Sequence, residues 1–138
     1  MHRASWSLLG IVSLLTSCSP AHAGKPAFLH IPLDPGTEVT RLDVVYRCDG
    51  DEGKANRDLR SRLPAGDVEV SYLNAGENSL AVVPVTGKKL ILSNVISGSG
   101  VRYAGGVYIW WSKGDTAQFA DVTSPDVSVS CVEKTGPK

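Results

Sequence analysis

"RLDVVYRC", residues 41–48, alternates residue by residue: Leu42, Val44, Tyr46 and Cys48 fall on one face, Arg41, Asp43 and Arg47 on the other. A repeat of two is the mark of a half-buried strand. The far end of the chain does the same, with Val127, Val129 and Cys131 inward and Asp126, Ser128 and Ser130 outward. Both cysteines therefore sit on apolar faces, and a bond between them would join the first strand to the last. A sheet that closes on itself has that need, because closure removes its unpaired edges.

Further strands are expected at 68–73, 80–85, 89–95, 107–112 and 116–122, with a polar piece at 57–63. Turn residues separate them: Gly50 and Gly53, Pro64 and Gly66, Asn74 to Asn78, Thr86-Gly87, Lys113-Gly114 and Ser124-Pro125. No segment shows a sustained helical period. About eight short strands in about 100 residues make an all-β fold, an antiparallel barrel or a sandwich. A small barrel fills its own interior with side chains, so function belongs on its loops.

The N-terminus has the form of an export signal, with Arg3 ahead of an apolar run from Leu8 to Leu15. That run is too short to span a bilayer permanently, which takes about 20 residues. Leu15-Thr16-Ser17-Cys18 matches a bacterial lipobox, which would make residues 1–17 the signal and Cys18 a lipidated N-terminus. Ala21-His22-Ala23 matches ordinary signal peptidase, which would remove residues 1–23. Residues 18–37, with Pro26, Pro32 and Pro35, are then a tether or lead-in, and the domain spans residues 38–138. In an exported protein Cys48 and Cys131 form an even pair in an oxidising compartment and are expected to bond; the alternative is two buried free thiols. A bridge closing so long a loop stabilises by about 4–5 kcal/mol in the chain-entropy model.

Composition removes several function classes. Lysine and arginine number 14, as do aspartate and glutamate, and losing Arg3 with the signal leaves one net negative charge. Nothing in that balance favours nucleic acid. Of three histidines, His2 and His22 precede one or both cleavage sites and His30 lies in the proline-rich lead-in, so neither a histidine-based triad nor a zinc site is expected. "DGDEG", residues 49–53, lacks the spacing of a calcium loop, and "TGKK", residues 86–89, lacks that of a phosphate loop. No pair of carboxylates stands out for glycoside chemistry. The protein is expected to bind rather than to catalyse, with no cofactor and no metal.

One stretch differs from the rest. "SGSGVRYAGGVYIWWSKGD", residues 97–115, sets a glycine-serine loop ahead of an aromatic strand that ends in a lysine turn. Alternation sends Trp110 and Trp111 to opposite faces, so one of them lies outside. Ser99 and Lys113 flank this strand, and whether they share one end of the fold depends on where the strand begins. Tyr72, Tyr108 and Phe119 are expected in the core or on a barrel face.

The combination of "YRC" at 46–48, "SGSGVRY" at 97–103, "YAGGVYIWWSKGD" at 103–115 and a cysteine near the C-terminus resembles the bacterial inhibitors of c-type lysozyme, the lipid-anchored MliC branch and its periplasmic PliC sister. The likeness runs from Val44 to Val132, and other members commonly carry alanine where this chain has Gly98. It implies an eight-stranded antiparallel barrel with a Cys48–Cys131 disulfide. It also implies an inhibitory surface in which Ser99 and Lys113 enter the cleft of a host c-type lysozyme. Gly98 and Gly100 would form the inserting loop, and Arg102 and Tyr103 would shape or support it. With Cys18 lipidated, the protein would be an outer-membrane lipoprotein facing the periplasm, held to the membrane only by that anchor; otherwise it would be soluble in the periplasm. The competing expectation is an envelope lipoprotein that binds peptidoglycan or other glycans directly. The oligomeric state is left open.

Overall fold

The computed structural model describes Lys25, residues 27–49 and residues 53–135. Cys18, the cleavage sites and most of the acidic turn after Asp49 lie outside the described residues. The described residues up to Pro32 belong to a separate unit and are exposed, His30 among them.

From Leu33 onward the chain is built around β1 (Val39–Asp49), α1 (Gly53–Arg60), β2 (Val68–Ala75), β3 (Asn78–Val85), β4 (Lys88–Val95), β5 (Val101–Gly105), β6 (Tyr108–Lys113), β7 (Thr116–Asp121) and β8 (Ser128–Glu133). Every strand pairs antiparallel with the next, and β8 returns to β1, which closes the barrel. The expected disulfide is present at the closing seam. Cys48 and Cys131 are direct register partners, 3.9 Å apart at Cα, with a 2.04 Å S–S bond.

The alternation that defined the strands fills the interior. Val44, Tyr46, Val68, Val70, Ala81, Val83, Leu92, Trp110, Phe119 and Val129 are all buried. Three of the large rings, Trp110, Tyr72 and Tyr46, bring polar atoms inside, and each finds a partner. The Trp110 indole N–H donates to the Tyr72 hydroxyl at 2.8 Å, and the Tyr72 and Tyr46 hydroxyls are 2.9 Å apart. Burial, and then the Tyr72 hydroxyl, hold the Tyr46 phenol far above its ordinary titration range, so it stays neutral.

Two expectations about the strands are corrected. The polar piece at 57–63 is not a strand: α1 runs to Arg60 and a turn follows, with Leu59 and Leu63 buried. Leu59 lies on α1 and Leu63 in the turn that follows it. Two apolar residues are too few to show as a period. The eighth strand is instead β5, five residues hidden between glycines, which takes the place expected for residues 57–63. Leu42, expected inside, is 59% exposed because β1 runs past the packed interior at that end.

The closed order gives the barrel two distinct ends. The 49–68 connection with α1, the loop after Asp121 and the β5–β6 turn gather at one, the helix end. The β2–β3 turn, residues 96–100 and the Lys113–Thr116 turn gather at the other, the loop end.

Candidate functional site

Because β5 exists, Ser99 and Lys113 do not flank one strand; they sit at the same end of a β5–β6 hairpin. Val101 pairs with Ser112 and Arg102 with Trp111, so the residues just outside that register, Gly100 and Lys113, meet. Gly100 has φ +62°, and a Cβ there would collide with the Ser112 carbonyl and lie 2.6 Å from Lys113 Cγ. Only glycine lets the two segments approach this closely. The Ser97 hydroxyl donates to the Gly100 carbonyl at 3.0 Å and tightens the loop from within.

The lysine turn is equally defined. Gly114, at φ +59°, turns the chain, and the Thr116 hydroxyl donates to the Lys113 carbonyl at 2.9 Å. From the neighbouring strand the Glu133 amide donates to the Asp115 carbonyl at 2.7 Å. Both segments are thus held by their own backbones, while the Ser99 and Lys113 side chains remain exposed.

Trp111 connects them. Trp110 points into the barrel and is fully buried, which leaves Trp111 on the outer surface, half-buried. Its indole N–H donates to the Ser99 carbonyl at 2.8 Å. Its ring carries the Lys113 ammonium at 3.5 Å from the centroid, and the Arg102 guanidinium lies 5.9 Å from the same centroid. Among the described residues no carboxylate forms an ion pair with Lys113 or Arg102.

The remaining expected site residues fall as follows. Gly98 is exposed, with open space where a side chain would be. Arg102 is half-buried on the outer face. Tyr103 is buried inside the barrel, its ring 5.6 Å from Tyr72 and its hydroxyl 3.1 Å from Ser79 Oγ. Tyr103 therefore stands behind the loop and presents no surface to a partner. Trp111 was absent from the expected site, although the alternation that placed one tryptophan outside was the signal for it.

The arrangement suits recognition of anions in a polar cleft. It offers an uncrowded hydroxyl and an unpaired ammonium on a fixed backbone, and charge-assisted hydrogen bonds to carboxylates are among the strongest a protein surface can form. Among the described residues no three His, Cys, Asp or Glu side chains converge as a metal site.

Comparison with known proteins points to the same family as the sequence motifs. The family model described as membrane-bound lysozyme-inhibitor of c-type lysozyme, MliC, matches residues 64–128. A membrane-bound lysozyme inhibitor of C-type lysozyme from Pseudomonas aeruginosa is 36% identical over 143 residues, covering 97% of this chain and all of the relative. One of the same name from Cupriavidus necator is 31% identical over 118 residues, covering 83% of this chain and 77% of the relative. Both are named as inhibitors rather than as enzymes. The crystal structure of Pseudomonas aeruginosa MliC in complex with hen egg white lysozyme superposes with a TM-score of 0.59 at 37% identity, covering 80% of this chain and 98% of that one. The chain belongs to the MliC family, the membrane-bound lysozyme inhibitors of c-type lysozyme.

Proposed function

We propose that this protein inhibits c-type lysozyme by inserting the Ser99 loop and the Lys113 turn into the active-site cleft, and so protects bacterial peptidoglycan. The observation that carries this reading is the side-by-side placement of the two segments at the loop end, fixed by the Gly100 approach and by Trp111. The relatives named as lysozyme inhibitors, and the solved complex of one with a lysozyme, support it.

A c-type lysozyme works with two carboxyl groups, one kept protonated to donate to the leaving oxygen. An ammonium placed between them favours the ionised form of that acid, which cannot donate a proton. Lys113 would thus block the sugar subsites and disarm the acid together. Ser99 both donates and accepts, and it is small enough for a narrow polar cleft. The rigid hairpin mount limits the ordering lost on docking, and an interface of about 1,600 Å² in total is expected. The protein acts as a stoichiometric blocker and not as an enzyme.

Attachment to the membrane through a lipidated Cys18, with the barrel facing the periplasm, fits the "membrane-bound" in the relatives' names. Mass spectrometry of the mature N-terminus separates that form from one cleaved before Gly24. Direct stacking on sugars is less well supported, because Trp110 is buried and the Trp111 ring already carries Lys113.

The test is a titration of purified protein into an assay that follows clearing of a Gram-positive cell suspension by a c-type lysozyme. Clearing should slow in proportion to added protein and stop near equimolar amounts. Undiminished clearing at several-fold molar excess would sink the reading.

A further inference from the structure

The loop end holds two recognition groups on different segments, and a single side chain touches both. Trp111 uses its N–H edge for the Ser99 carbonyl, at 2.8 Å, and its ring face for the Lys113 ammonium, at 3.5 Å. The two contacts use different parts of one rigid, two-ring group. The Ser99 loop is further tightened by the Ser97 to Gly100 bond, and it is exposed throughout Gly98–Gly100. Lys113 has no carboxylate partner among the described residues to fix its long side chain. A lysine without such a partner samples many rotamers, and ordering it on docking is costly.

From this we infer that Trp111 is the positioning residue of the inhibitory surface, coupling Ser99 and Lys113 into one pre-set unit. An ammonium lying on an indole face gives up little charge and stays available to a carboxylate, since the attraction of the ring is weaker than that of an anion. The ring therefore stores Lys113 beside the loop without competing seriously with the lysozyme. The N–H bond fixes the Ser99 carbonyl, and with it the direction in which the Ser99 side chain leaves the backbone. Arg102, 5.9 Å from the same ring, adds a second cation to the patch.

Burial sets the expected effects of mutation. Trp111 lies on the outer, half-buried face, while the interior below it is filled by Trp110, Tyr46 and Phe119. Trp111→Leu keeps an apolar cover but loses both contacts; Trp111→Phe keeps a ring for Lys113 and loses the N–H. Matching thermal melts of parent and variants would show that the barrel stays intact.

The experiment has two arms, and only the second rests on the lysozyme reading. In the free protein, carbon–proton NMR reads the Lys113 side-chain methylenes. Ring current from the indole should move them upfield in the parent, the shift should vanish in Trp111→Leu, and Trp111→Phe should retain part of it. Random-coil positions in the parent would overturn the inference without any lysozyme present. In the inhibition assay, Trp111→Leu should weaken inhibition roughly ten-fold or more, with Trp111→Phe in between. Adding Lys113→Ala to Trp111→Leu should then cost much less than it does in the parent, the non-additivity expected of groups that act together. Strictly additive losses, or full inhibition by Trp111→Leu, would overturn the coupling. A parent that does not inhibit at all would defeat the functional reading instead, and the NMR arm would still decide the positioning role.

Discussion

The two ends of the barrel use their polar side chains in opposite ways. At the helix end they are spent on the protein itself. Arg60 donates to the carbonyls of Cys48, at 2.7 Å, and of Pro64, at 2.6 Å, and Asn56 donates to the carbonyl of Ser128 at 3.0 Å. Arg62 pairs with Asp121 at 2.5 Å, and the second Asp121 oxygen accepts from the Thr123 amide and hydroxyl. At the loop end the backbone is fixed, but Ser99 and Lys113 keep their recognition atoms unspent. The helix end holds the long 49–68 connection together, whereas the loop end leaves free the groups proposed to meet lysozyme.

Cutting the seam that both ends depend on should have the largest effect. Replacing Cys48 and Cys131 together with alanine is expected to lower stability by about 2–5 kcal/mol, measured by denaturant unfolding, because the first and last strands lose their covalent join. Unchanged unfolding would mean that the β1–β8 ladder closes the barrel unaided. The next change separates the two ends. Lys113→Ala and Gly100→Ala should each weaken lysozyme inhibition by roughly ten-fold or more, the first by removing the cation and the second by forcing the loop away from it. Melting temperature should barely move for Lys113→Ala, an exposed residue.

Asp121→Asn is the converse. It should lower the melting temperature at neutral pH and leave inhibition intact. The Thr123 hydroxyl, the Thr123 amide and Arg62, in that order, hold the Asp121 carboxyl below its ordinary 3.8. A carboxyl depressed by folding contributes stability that is present above its unfolded pKa and is lost as acid protonates it in the fold. The gap between parent and Asp121→Asn should therefore be constant down to about pH 5 and close as pH falls below 3.8. A gap that widens in acid would contradict this origin. The smallest effect belongs to Gly98→Ala. Gly98 lacks a positive φ and has open space around it, so stability should stay within about 0.5 kcal/mol and inhibition should match the parent.

Much of the architecture was legible because it rests on period-two patterning. Strands β1 and β8, the inward cysteines and the outward tryptophan all follow from which residues alternate. What escaped has physical causes. In β5, Arg102 and Tyr103 lie between Gly100 and Gly105–Gly106, and so short a run beside glycines shows no periodicity of its own. Its partner strands supply the pairing that its sequence lacks. Helix α1 escaped because it buries one residue, Leu59, with Leu63 following in the turn, which leaves no helical period to read. The same hidden strand decided the site. Without β5, the shared end of Ser99 and Lys113 could not be derived, and neither could the role of Trp111 as the contact between them.

The most direct measurement of this division of labour is a titration of isotopically labelled protein with a c-type lysozyme, following each backbone amide by NMR. The amides of residues 96–101 and 111–115 should shift or broaden first and most, while those of α1 and the loop after Asp121 stay in place. Perturbation centred on the helix end, with Ser99 and Lys113 unaffected, would contradict it.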